Sequence, residues 1–171
     1  MGRFSTLCLY LTALLVFTPL GSATAQQKSF KQQLVGTWIF VQTEATQSDG
    51  KKILPFGPNP TGILIFTEDD HFALMQVADG VPKFASNSRA TGTAEENRAA
   101  VNGSIAFSGT YTVDEITNTI TRKIESTTFP NWMGITQKLK IDSLTMDELI
   151  YSNLIGSIAG AKLVNIWKRA K

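Results

Sequence analysis

One arginine stands among residues that need burial. In "NTITRKIES" (118–126), Arg122 shares strand parity with Ile120 and Ile124, so it can point inward with them. A guanidinium in an apolar interior is very costly without a partner. Three arrangements resolve that cost. Arg122 can pair internally with Glu125 or another acid, a twist can turn it outward, or it can clamp a ligand carboxylate or phosphate. Gln42, Gln76, Gln137 and Asn165 also interrupt apolar faces. Each can orient a ligand or serve as a satisfied core amide. Trp132 lies in "FPNWMG" (129–134), where Pro130 and Asn131 favour a turn and Gly134 eases the re-entry. It is either a lid over a cavity mouth, coupling ligand entry to loop motion, or a buried anchor for its loop.

Other chemistry is excluded by residue type and spacing. His71 is the only histidine. With Asp69 and Asp70 it forms a superficially metal-like group, but consecutive residues of a tight turn rarely converge on one ion. One histidine in a turn supports no Ser-His-Asp set. Glu95 and Glu96 are explained by a helix N-terminus, where negative charge is favourable. No glycine-rich loop precedes a helix in phosphate-binding form. No catalytic residue, metal or cofactor is therefore assigned. The chain carries a formal charge of +2 with its Lys and Arg scattered, apart from the terminal Lys168, Arg169 and Lys171. That is no nucleic-acid footprint. Asn102-Gly103-Ser104 matches the N-glycosylation pattern, relevant only in a host that performs it.

The first 25 of the 171 residues read as a cleaved signal peptide. Arg3 supplies a basic start, "TLCLYLTALLVF" an apolar run too short for a membrane span, and Ala23-Thr24-Ala25 a cleavage site. The expected product, residues 26–171, is secreted or periplasmic, carries a charge near +1 and has no later run of membrane length. The single cysteine, Cys8, leaves with the leader. The mature chain then has no disulfide, zinc-thiolate site or thiol nucleophile, and a single domain of this size rests on its core alone.

The period is two along most of that domain. Strands are expected at 37–44, 61–68, 71–78, 105–114, 118–126, 135–142, 147–153 and 162–169, with Asp69-Asp70 as a hairpin turn. A turn or two of helix is expected in "QKSFKQQL" and a helix in "GTAEENRAAVNG", where Thr93 and Glu96 form a capping box and Asn102-Gly103 a stop. "DGKKILPFGPNPTG" is too rich in Pro and Gly for regular structure and reads as an ordered loop over one end. Eight sequential antiparallel strands with one apolar face predict an all-β up-and-down barrel. At that size the interior is filled by side chains or holds one small ligand.

Gly36-Thr37-Trp38 opens the first strand and Arg169 closes the last. In such a barrel these strands are neighbours, so Arg169 can lie on the Trp38 indole as a cation–π plug, with Gly36 leaving room for the N-terminal helix. These residues are assigned a structural role. The Gly-x-Trp and the terminal Arg resemble the lipocalin signature. Together with "PFGPNPTGILIF", "FASNSRATGTAEENRAAVNGSIAFSGTYTVDE" and "ESTTFPNWMGITQ", they resemble the lipocalin-like domain proteins of bacteria and fungi over most of Leu34 to Arg169. The resemblance implies a small calycin-type barrel of binding function, most of whose relatives have no assigned activity. The family pattern carries a histidine pair where this chain has Arg122 and Lys123, so no role of those histidines carries over.

The expected function is non-covalent binding of a small, largely apolar or amphipathic molecule inside the barrel. Phe40, Phe66, Met75, Phe107, Tyr111 and Leu139 are the expected wall residues, with Arg122, Trp132 and Gln137 as specificity elements. Two alternatives stand beside it: a barrel isomerase or cyclase with Arg122, Tyr111 or Glu125 polarising the substrate, and a barrel filled by its own side chains. A parity slip at any bulge would exchange lining and outer residues. The sequence carries no signal for the oligomeric state.

Overall fold

The computed structural model describes residues 28–153 and 161–171. The expected signal peptide and its cleavage site lie outside the described residues. The strands are β1 (Gly36–Thr46), β2 (Lys52–Ile53), β3 (Thr61–Phe66), β4 (His71–Val77), β5 (Ser104–Asp114), β6 (Thr119–Thr127), β7 (Thr136–Leu144), β8 (Glu148–Asn153) and β9 (Lys162–Arg169). From β3 onward each pairs antiparallel with the next, β1 pairs with β3, and β1 pairs again with β9. The eight long strands thus close into the expected barrel, and closure satisfies the sheet edges that an open sheet would expose. The ninth strand, β2, corrects the reading of its segment as wholly irregular. It pairs as Ala45↔Ile53 and Thr46↔Lys52. The prolines begin only at Pro55, so the residues before them keep the N–H groups that a ladder needs.

One end of the barrel is plugged. Helix α1 (Phe30–Leu34) begins with a capping box between Ser29 and Gln32 and buries Leu34. The Leu34 carbonyl accepts a hydrogen bond from the Trp38 Nε1 at 2.8 Å. The Arg169 guanidinium lies 4.0 Å from the Trp38 ring centroid. It also donates to the carbonyls of Met146, Val35 and Gln33. Gly36 has φ +128°, and a Cβ there would meet the Arg169 Nη1 at 2.8 Å. The glycine is required by its backbone and by the arginine, a different reason from the helix crossing expected above. Above this plug Trp38, Phe66, Tyr111, Ile120, Leu149 and Trp167 are all buried. The Tyr111 hydroxyl donates to the Thr67 carbonyl at 2.8 Å, fastening β5 to the β3–β4 turn. Burial, then the charges of Asp70 and Asp69, push its pKa up to about 12.

Bulges decide which residues face inward farther along. Between Phe40 and Gln42, β1 gains one residue against β9, so the inward set changes from Trp38 and Phe40 to Thr43 and Ala45. Gln42 therefore does not interrupt the inner face. Its Nε2 instead donates to the Gly57 carbonyl at 3.2 Å and ties down the Pro-rich loop. Similar shifts occur in β6 opposite Ser108/Gly109 and in β7 between Ile141 and Ser143. Helix α2 (Ala94–Asn102) carries the expected Thr93–Glu96 capping box. The Glu96 carboxylate also accepts from the Ala85 N–H, and these backbone donors hold its pKa below the usual value. No helix among the described residues is long and apolar enough to cross a membrane.

Candidate functional site

The other end of the barrel holds a cavity of about 820 Å³. Its mouth is framed by three loops and α2. Phe56 comes from the β2–β3 loop, Phe84 and Arg89 from the β4–β5 connection, and Phe129 and Trp132 from the β6–β7 connection. Leu74, Phe107, Tyr151 and Leu163 supply buried apolar wall, and Gln76, Thr43 and Asn165 supply buried polar groups.

Arg122 projects into this space. It is 2 % exposed, on the same face of β6 as Ile120 and Ile124. Its Nη2 donates to the Gln137 Oε1 at 2.8 Å, across the β6–β7 ladder. Its Nε and Nη1 form no hydrogen bond among the described residues. The guanidinium carbon lies 5.2, 5.0 and 5.6 Å from the ring centroids of Phe72, Phe107 and Tyr151. Each such contact is worth about 0.5–2 kcal/mol, so the three together offset part of the several kcal/mol of desolvating the charge. Burial accordingly lowers the Arg122 pKa. Neither of the structural arrangements weighed for Arg122 is present. Glu125 lies on the outer face, accepting from the Thr110 hydroxyl at 3.5 Å, and Arg122 is not turned outward. Tyr151 is also buried, and its pKa is raised by that burial against smaller opposing effects of Arg122 and Trp167. Trp167 Nε1 is a third buried donor that forms no hydrogen bond among the described residues.

A second polar group crosses the barrel. The Thr43 hydroxyl donates to the Asn165 Oδ1 at 2.8 Å, and the Gln76 Nε2 donates to the Thr43 hydroxyl at 3.3 Å. Asn165 Nδ2 donates to the Asn153 Oδ1 at 3.2 Å. Gln76 and Asn165 are thus bonded core amides that also line the cavity.

Of the expected ligand-contacting residues, Phe107, Arg122, Trp132 and Gln137 line the cavity. Trp132 is half-buried at the mouth of the cavity. On the short 3-10 turn Pro130–Trp132 it packs edge-on against Phe107 and Phe129, at 5.4 and 5.6 Å, and faces the cavity. Phe40, Phe66, Tyr111 and Leu139 are buried but belong to the packed core and do not line the cavity. Phe40 is separated from it by Phe56, which meets it edge-on at 5.5 Å. Met75 is a correction: it is 46 % exposed on the outer face, opposite Ile63 and Ala106. Strand β4 is apolar on both faces, so alternation alone does not choose between Leu74 and Met75. Thr43, Tyr151, Asn153 and the loop residues Phe56, Phe84 and Phe129 were not expected. The alternation Leu149, Tyr151, Asn153 could have found two of them. Thr43 was hidden by the β1 bulge.

His71 Nδ1 lies 3.3 Å from the Asp69 carboxylate on the exposed turn. No group of three His, Cys, Asp or Glu able to hold a metal occurs among the described residues.

No curated protein sequence matches the chain. Among solved structures, bovine odorant-binding protein in complex with a selenium-containing odorant is similar at 15 % identity and TM-score 0.43, over 85 % of this chain and 76 % of that one. A redesigned β-barrel is similar at 17 % identity and TM-score 0.42, over 82 % and 95 %. A de novo designed fluorescence-activating β-barrel is similar at 13 % identity and TM-score 0.41, over 82 % and 96 %. The model of the lipocalin-like domain family matches residues 35–170, and the chain belongs to that family.

Proposed function

We infer that this protein binds a small, largely apolar molecule in its barrel, with one polar end held by the barrel wall. The cavity carries this reading: one end of the barrel is packed solid, while the other leaves about 820 Å³ open between apolar walls. At about 25 cal/mol per Å², a ligand burying a few hundred Å² of apolar surface gains several kcal/mol before ordering costs. A fully filled barrel does not account for that space. We further propose that the chain is exported and begins at Gln26, on the strength of its leader.

The decisive experiment is native mass spectrometry of the protein from its own host, followed by denaturing extraction of released molecules. A stoichiometric adduct is expected, on a chain whose mass starts at Gln26. A clean apo mass, combined with no saturable binding of the neutral probe N-phenyl-1-naphthylamine, overturns the binding reading. A second reading, a barrel isomerase or cyclase, is favoured by one observation. Tyr151, held protonated by burial, shares the cavity with Arg122 and can donate a proton or hydrogen bond to a substrate. Tyr111 and Glu125 do not serve it, being on the plugged side and the outer face. Recovery of the extracted molecule unchanged after incubation with fresh protein separates binding from turnover.

A further inference from the structure

The cavity has a one-sided charge. Its lining includes Arg122 at depth and Arg89 at the mouth, and neither Asp nor Glu among the described residues. Arg89 is exposed and forms no ion pair within the described residues, so it raises the local concentration of anions at the entrance. Arg122 is a buried cation, two of whose donor nitrogens form no hydrogen bond among the described residues. Three aromatic rings and Gln137 hold the guanidinium in place. A buried donor left unmade is expensive, and a charge-assisted bond to it is correspondingly strong.

We propose that Arg122 and Tyr151 form the headgroup site for the carboxylate of an amphipathic monocarboxylic acid, whose apolar chain extends past Phe107 toward Trp132. The proposal rests on the binding reading above and names the ligand class. The Arg122 guanidinium neutralises the single negative charge. The Tyr151 hydroxyl, kept protonated by its surroundings, donates to the carboxylate. A phosphate dianion is disfavoured, because the interior holds one cation and a second negative charge would be buried without a partner. The amides of Gln76, Asn153 and Asn165 are neutral and suit a hydroxyl or carbonyl on the ligand, not a further charge.

The test is displacement of N-phenyl-1-naphthylamine by decanoate, 1-decanol and monodecyl phosphate, at about pH 8, above the second phosphate pKa. Wild type, Arg122→Met and Tyr151→Phe are compared, with the far-UV circular dichroism spectrum and the urea midpoint reporting an intact barrel in each. Decanoate is expected to displace the probe roughly ten- to a hundredfold more effectively than decanol from wild type, the worth of charge-assisted hydrogen bonds. Arg122→Met should abolish that preference, bringing the ratio of decanoate to decanol affinity to about one. Tyr151→Phe, which keeps the ring stack, should lower the same ratio without abolishing it. Equal binding of acid and alcohol by wild type overturns the headgroup site, as does a preference that survives Arg122→Met. Tighter binding of the phosphate than of decanoate overturns the monoanion assignment. Failure of wild type to bind the probe at all, together with a clean apo mass, is a different result, and overturns the binding reading itself.

Discussion

Arg122 concentrates the tension between stability and function in one residue. The folded protein keeps a guanidinium in an apolar wall with one hydrogen bond and three ring faces as its compensation. Replacing even a buried ion pair by hydrophobes of similar volume is often neutral or stabilising, by about 1–4 kcal/mol, and a buried charge with no opposite charge beside it has less to lose. Ligand-free Arg122→Met is therefore expected to unfold at an equal or higher urea concentration than wild type. A loss above roughly 2 kcal/mol would mean that the charge has a partner strong enough to repay its desolvation. The inward placement of Arg122 was legible from its parity with Ile120 and Ile124. The absence of an acid beside it was not, because Glu125 is adjacent in sequence but faces outward.

At the scale of elements, Arg169 is where the chain's two ends are joined. One side chain ties β9 to the α1–β1 junction and to the β7–β8 turn through the carbonyls of Val35, Gln33 and Met146, while its face covers Trp38. Arg169→Ala loses the ring contact and several charge-assisted bonds together. Its expected cost is about 2–4 kcal/mol, read from the urea midpoint. Arg169→Lys should recover only part of this, since an ammonium lacks the planar fork that reaches several carbonyls at once. An unchanged midpoint in the alanine variant would remove the plug from the account of stability. Strand positions and the α2 cap were legible because period-two alternation and the Thr93–Glu96 spacing are local signals. The β1 bulge was not, and it reversed Gln42 and Thr43.

For the whole molecule, closure and burial make stability fall at high pH. The fold holds the Tyr111 phenol neutral, with its pKa raised from 10.0 to about 12. An acid whose neutral form is favoured by folding contributes stability that is fully present below its unfolded pKa and is lost as the pH rises through the folded value. The urea midpoint should therefore hold up to the vicinity of pH 10 and fall from there through about 12. Tyr111→Phe should flatten that fall without abolishing it, because burial also raises the Tyr151 pKa. A variant with the same alkaline slope as wild type would show that Tyr111 is not the group responsible.

The sequence by itself determined the closed barrel, its strand order, the Trp38–Arg169 plug and the capped helix, because alternation, capping and end-to-end adjacency act between near neighbours or at fixed strand positions. Only the tertiary structure decided which residues meet around the cavity. A bulge of one residue exchanges the two faces of a strand, and β4 is apolar on both, so Thr43 and Leu74 line the cavity while Gln42 and Met75 do not. The separation of a packed end from an open one, and the company of Arg122 with Tyr151 and without any acid, depend on residues from different strands and loops sharing one volume. No spacing along a single chain specifies that volume.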